Sequence, residues 1–243
     1  MSPVFFVIVF VAAFLAGSIS AVAGFGIGSI LTPVLGLGIG AKLAVAAASI
    51  PHLFGNALRL WTLRDRVDKE VLKTFGAMSA AGALAGALLH AAVSSHAFKI
   101  LFGAALVVFG AAGVMGWTEH LRLGRRGAWV GGGVSGLLGG LFGNQGGVRA
   151  AAMLGFNVRK DVFVATAVAI ALVVDGARMP VYAFSVGRSL LTVWPIIATA
   201  ITGVVLGTLL GRSVLGRIPE RWFRRIVSAL LVVLGIAVLL STR

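Results

Sequence analysis

The chain is 243 residues long, 59% hydrophobic and 12% charged, with mean hydropathy +1.04; an average soluble domain is roughly one-quarter charged, so a soluble globular domain is excluded. Formal net charge is +14 and the sequence pI about 11.9, but Lys and Arg fall mostly in short loops between apolar runs, and no basic stripe carries interleaved aromatics. That charge therefore reads as topology signals and contacts with anionic lipid headgroups, not nucleic-acid binding, and the absence of Cys excludes disulfides, thiolate metal sites and Cys nucleophiles.

A bilayer core is crossed by about 20 apolar helical residues. Charge-poor stretches at 3–23, 71–93, 97–117, 161–174, 190–210 and 226–240 approach or meet that length. The first has neither a basic n-region nor an A-x-A cleavage site, so it reads as a retained span. It runs into a break, Gly24-Phe25-Gly26-Ile27-Gly28-Ser29, followed by Thr32-Pro33. Glycine frees the backbone from helical angles, and in lipid an irregular backbone survives only where it is buried or lines a wet cavity. Broken-helix ends expose N–H groups that attract anions; the same glycines would also serve close helix packing alone.

The next span, Lys42 to Trp61, carries His52 just after Pro51, then Asn56 and Arg59. Spacings of four and three bring these three roughly onto one helical face. Histidine titrates near neutrality, which makes His52 the natural candidate for proton coupling; a satisfied interhelical hydrogen bond is the plainer alternative. After the polar stretch 118–127 a second break reads Leu141-Phe142-Gly143-Asn144-Gln145-Gly146-Gly147-Val148-Arg149. Asn, Gln and Arg left unpaired in hydrocarbon would cost several kcal/mol, so they face protein, water or ligand. Arg149 offers a fixed charge and planar donors suited to oxyanions, unless it snorkels to headgroups. Asp175 and Arg178 follow, three apart before Pro180, as an i,i+3 ion pair, a substrate contact or both. Asp175 is the only acid well within an apolar stretch. There is thus no carboxylate chain of the kind cation pumps use, and the buried charge favours an anionic substrate.

The two breaks are related. Adding 117 takes Ser18 to Ser135, Phe25 to Phe142, Gly26 to Gly143 and Gly38 to Gly155, and with a two-residue slip Asn56-Ala57-Leu58-Arg59 aligns with Asp175-Gly176-Ala177-Arg178. A duplication explains this, with 1–117 as the first repeat, 118–127 as a cytoplasmic linker and 128–243 as the second repeat. Positive loops around 59–73, 122–126 and 212–225 mark the cytoplasmic side, whereas the 90–99 connection holds only His90, His96 and Lys99. Loop 185–189 then lies outside and 157–160 inside, so equivalent loops face opposite sides. That inversion requires each interrupted segment, 4–40 and 128–157, to be a helix pair entering and leaving on one side. The expected fold is an all-α polytopic membrane protein of two inverted repeats, each a Gly-broken hairpin plus three spanning helices. This gives about ten membrane helices in all, with both termini outside.

No Walker loop, HExxH, G-x-S-x-G elbow or paired carboxylates are present, which argues against an enzyme. The His residues at 52, 90, 96 and 120 are too scattered to suggest a metal site, and no cofactor is implied. The candidate substrate-binding set is Gly24, Phe25, Gly26, Gly28, Ser29, Asn144, Gln145, Gly146 and Arg149; the coupling or gating set is His52, Asn56, Arg59, Asp175 and Arg178. At Ala23-Gly24-Phe25-Gly26-Ile27-Gly28-Ser29-Ile30-Leu31-Thr32-Pro33 and Gly143-Asn144-Gln145-Gly146-Gly147-Val148-Arg149 the chain resembles the TauE/SafE sulfite-exporter family, the TSUP transporters. Ala150 stands where the other repeat has Pro33, so the two breaks need not contribute equally. The resemblance implies a carrier of sulfite or small organosulfonate anions in the bacterial cytoplasmic membrane, with an ion gradient as its driving force. An anion channel of the same architecture is the alternative. The partners expected are a small sulfur-containing anion and membrane lipids, and a homodimer is compatible with the sequence.

Overall fold

The computed structural model describes residues 1–23, 26–116, 125–144, 146–153, 156, 159–215 and 220–240. Gly24, Phe25, Gln145 and residues 118–124 of the expected linker 118–127 thus lie outside the described residues. Among those described are ten α-helices: α1 (Pro3–Ala23), α2 (Ile27–Ile39), α3 (Ala41–Leu63), α4 (Lys69–Ala92), α5 (Ser95–Val114), α6 (Arg125–Phe142), α7 (Gly146–Met153), α8 (Lys160–Thr192), α9 (Trp194–Leu215) and α10 (Glu220–Leu240). Helical segments 3–21, 41–66, 69–92, 95–114, 161–192 and 194–211 are long and apolar enough to cross a bilayer. The chain is therefore a multi-pass helical membrane protein. Shorter apolar helices cover 27–39, 127–142 and 228–240.

Helix boundaries follow from local chemistry. Asp68 caps α4 by accepting from the backbone N–H of Glu70 and Val71, and the Ser94 hydroxyl accepts from Ala97 N–H at the start of α5. At the other end of α4, Lys42 of α3 donates to the carbonyls of Ala91 and Val93 at 3.0 and 2.6 Å, a cation placed where helix carbonyls lack partners. One boundary departs from the sequence expectation. The expected loop at 185–189 is helical: α8 runs without a break from the apolar stretch 161–174 through Asp175, Arg178 and Pro180 to Thr192. It can do so because the charges that interrupt it are paired within the protein.

Packing crosses between the halves. α1 lies along α9, α4 along α6 and α5 along α10, while α3 packs on both α8 and α9, and α8 also on α4. Exchanging α1–α5 for α6–α10 in order carries the α1–α9 pair onto α6–α4 and the α3–α9 pair onto α8–α4. The α3–α8 and α5–α10 pairs map onto themselves. Small residues allow these close approaches: Gly203, Gly207 and Gly211 of α9 face the backbone of Phe10, Phe14 and Ser18, and Gly136 and Gly140 of α6 face the carbonyls of Ser79 and Ala83. Without a hydrophobic drive between helices in lipid, such contacts supply the association. One buried cluster joins α1, α2, α3 and α9 around Ile27, Leu31 and Ala47. Another joins α4, α7 and α8 around Phe75, Met153 and Ile170.

Candidate functional site

The two Gly-rich breaks interrupt their helices at equivalent points. Gly26, with φ 125°, separates α1 from α2, and Gly143, with φ 71°, follows α6; both conformations suit glycine and few other residues. The breaks then meet each other. A side-chain carbon added at Gly28 would run into the carbonyl oxygen of Gly143, and Ser29 Oγ donates to Asn144 Oδ1 at 2.8 Å. Since Asn144 accepts through its oxygen, its amide N–H donors are left for another group. Gly26 caps α2 without a side-chain hydrogen bond, so the first N–H groups of α2 lack intrahelical acceptors. Gly146 opens α7 on the other side.

Arg149, one turn into α7, is 5% exposed. Its Nη1 donates to the carbonyl of Ala167 on α8 at 3.2 Å, while Nε and Nη2 have no hydrogen-bond partner among the described residues. No carboxylate among the described residues lies within ion-pair distance of it. A guanidinium so placed is a strong, unsatisfied attractor for an anion.

Four of the coupling candidates, His52, Asn56, Asp175 and Arg178, form one network. His52 of α3 donates through Nδ1 to Asp175 Oδ2 of α8 at 2.7 Å; the carboxylate accepts, which fixes that ring nitrogen as the donor. The Asn56 amide nitrogen lies beside the ring, 3.1 Å from Nδ1 and 3.3 Å from Nε2. Asp175, fully buried, also accepts on Oδ1 from Arg178 Nε and Nη2 at 3.0 and 2.7 Å, the i,i+3 ion pair expected from spacing. Arg178 Nη1 continues to the carbonyl of Gly139 at 2.5 Å. Arg59 is buried and donates to Ser20 Oγ of α1 at 2.8 Å.

Several participants carried no sequence signal. The α6 helix ends at the second break, and three consecutive terminal carbonyls find side-chain donors: Arg178 for Gly139, the Tyr182 hydroxyl for Gly140, and His90 Nδ1 for Leu141 at 3.3 Å. Arg178 thus adds a second donor to the Gly139 carbonyl, which already accepts from Gly143 N–H at 3.0 Å, as well as pairing a carboxylate. His90 belongs to the buried last turn of α4, packed edge-on against Phe98 and Tyr182, not to an exposed connection as its charge-counting role suggested. Thr32 of α2 is 1% exposed, and its hydroxyl has no partner among the described residues.

Against known proteins, the family model described as sulfite exporter TauE/SafE matches residues 9–238. No curated protein and no solved structure matches the chain.

Proposed function

Because the chain belongs to the sulfite exporter TauE/SafE family, we propose that it is a secondary transporter of sulfite or a small organosulfonate across the bacterial cytoplasmic membrane. The observation that carries the reading is Arg149, buried with two donor nitrogens unused and no carboxylate beside it among the described residues. An anion would complete it. The other binding groups are the Asn144 amide, the opening N–H groups of α2 at Gly28 and Ser29, and, by position in the breaks, Gly24, Phe25, Gly26, Gln145 and Gly146. Two inverted repeats and ten membrane helices are the architecture that best fits the half-exchange symmetry of the packing, and both halves contribute a break to the same junction. Rocking of one half against the other would expose that junction to each side in turn. Arg149→Gln removes the charge while keeping a similar length and polarity. Sulfite flux in reconstituted vesicles should fall at least about tenfold, as expected for loss of a charged hydrogen-bonding partner; undiminished flux would discard the site.

Proton coupling through His52 belongs to the same reading. In the neutral ring Nδ1–H is held by the Asp175 carboxylate, with the Asn56 amide beside the ring. A second ring proton would turn the His52–Asp175 hydrogen bond into an ion pair. Proton occupancy is thereby tied to the only described side-chain hydrogen bond between α3 and α8. His52→Gln vesicles should transport sulfite but lose the acceleration produced by an imposed pH gradient. A full response to the gradient would show that the proton travels elsewhere.

A further inference from the structure

We propose that the Thr32 hydroxyl contacts the transported anion directly, as the first repeat's counterpart of Arg149. This rests on the reading of the two breaks as the anion site. The register that equates Gly26 with Gly143 takes residue 32 to residue 149, so both side chains stand six residues beyond the positive-φ glycine of their own break. They also share a state. Each is buried, and each keeps polar atoms with no partner among the described residues: Oγ1 of Thr32, Nε and Nη2 of Arg149.

The Thr32 hydroxyl had an easy alternative. A helical Ser or Thr ordinarily returns its hydroxyl to a carbonyl three or four residues earlier. Ser49 does so to Ala46, Thr62 to Arg59, Thr199 to Pro195 and Thr202 to Ala198, at 2.6–3.0 Å. Thr32 does not. Its oxygen faces the opposite break, where a side-chain carbon on Gly143 would lie 3.3 Å from Oγ1 and 3.7 Å from Arg178 Nη1. The next residue is Asn144, the acceptor of the Ser29 bond. A buried, unpaired hydroxyl weakens the fold, and of the hydroxyls in this state, on Ser18, Thr32 and Thr208, that of Thr32 is the one set against the opposite break, where a bound anion would supply its partner. Thr32 then offers one neutral hydrogen bond to an oxygen of the anion, and Arg149 provides the charge.

The test compares wild type, Thr32→Val, Thr32→Ser and Arg149→Gln as purified full-length proteins, recording thermal unfolding midpoints and calorimetric binding. The probe is whichever of sulfite, thiosulfate, sulfoacetate and taurine raises the wild-type midpoint. Thr32→Val should bind that probe roughly tenfold more weakly, yet without probe it should unfold at the wild-type midpoint or above, because an unsatisfied hydroxyl has been removed. Thr32→Ser should bind within about threefold of wild type, since it keeps the donor. Weaker binding by Thr32→Val together with a lowered probe-free midpoint would make the role structural and overturn the proposal. If Thr32→Val binds normally while Arg149→Gln does not, Thr32 is no contact and the anion site stands without it. If both bind normally, or no probe protects the wild type, the anion site itself is lost and the proposal with it.

Discussion

Replacing Asp175 with asparagine will destabilise the protein by roughly 3–5 kcal/mol, the usual effect of leaving a buried charge without its partner. The carboxylate is fully buried and serves two cationic or hydrogen-bonding neighbours at once, His52 at 2.7 Å and Arg178 at 2.7 and 3.0 Å. Asparagine keeps the shape but removes the charge, so the Arg178 guanidinium stays in the interior uncompensated. The damage does not stop at the pair. Arg178 also holds the carbonyl of Gly139 near the end of α6, and a guanidinium pulled towards water would release that end of the second break. We expect the unfolding midpoint to drop by roughly 10 °C and sulfite flux to vanish. Adding Arg178→Gln should recover part of the midpoint, because no buried charge then remains in the pair, but not the flux, because the α3–α8 link and the α6 end are both altered. A midpoint for Asp175→Asn within about 2 °C of wild type would mean that this pair is hydrated in the working protein, in conflict with the geometry.

Some of this was legible from residue order alone and some was not, for identifiable reasons. The break positions were legible because glycine clusters in apolar runs have few explanations, and the 117-residue offset equated Gly26 with Gly143 before either was seen to adopt positive φ. His52, Asp175 and Arg178 stood out because ionisable groups are rare in hydrocarbon. Their mutual contact was not legible, since His52 and Asp175 are 123 positions apart and no local spacing reports a bond between halves. Tyr182 and His90 were invisible for the same reason: their function as donors to the end of α6 exists only once α4, α6 and α8 are packed. Arg59, grouped with His52 and Asn56 by helical spacing, turns instead to Ser20, because a face spanning seven residues is wide enough to meet two different neighbours. Thr32 was missed although the offset that found Gly143 leads from it to Arg149. A threonine in an apolar helix draws no notice until its hydroxyl proves unpaired.

Gly28→Ala should abolish transport although alanine is the better helix former by about 1 kcal/mol. Gly28 lies within the regular first turn of α2, so no backbone strain opposes the change, and intrinsic propensity predicts a gain. The opposing effect is steric. The new methyl group would occupy the space of the Gly143 carbonyl oxygen, and a backbone carbonyl at a helix break cannot swing aside as a flexible side chain does. Overpacking of this kind costs roughly 1–3 kcal/mol, which outweighs the propensity term, and relief requires the two breaks to move apart. Separation would stretch the 2.8 Å bond from Ser29 to Asn144 and open the junction at which Arg149 and the α2 N-terminus are proposed to share an anion. Gly176→Ala is the matched control, because a side-chain carbon there meets nothing within 4 Å; it should leave both midpoint and flux unchanged or slightly improved. Vesicle flux and unfolding midpoints for the two variants separate the effects. If Gly28→Ala transports like wild type, the breaks are not in contact when the protein works, and a junction built from both halves cannot be where the anion binds.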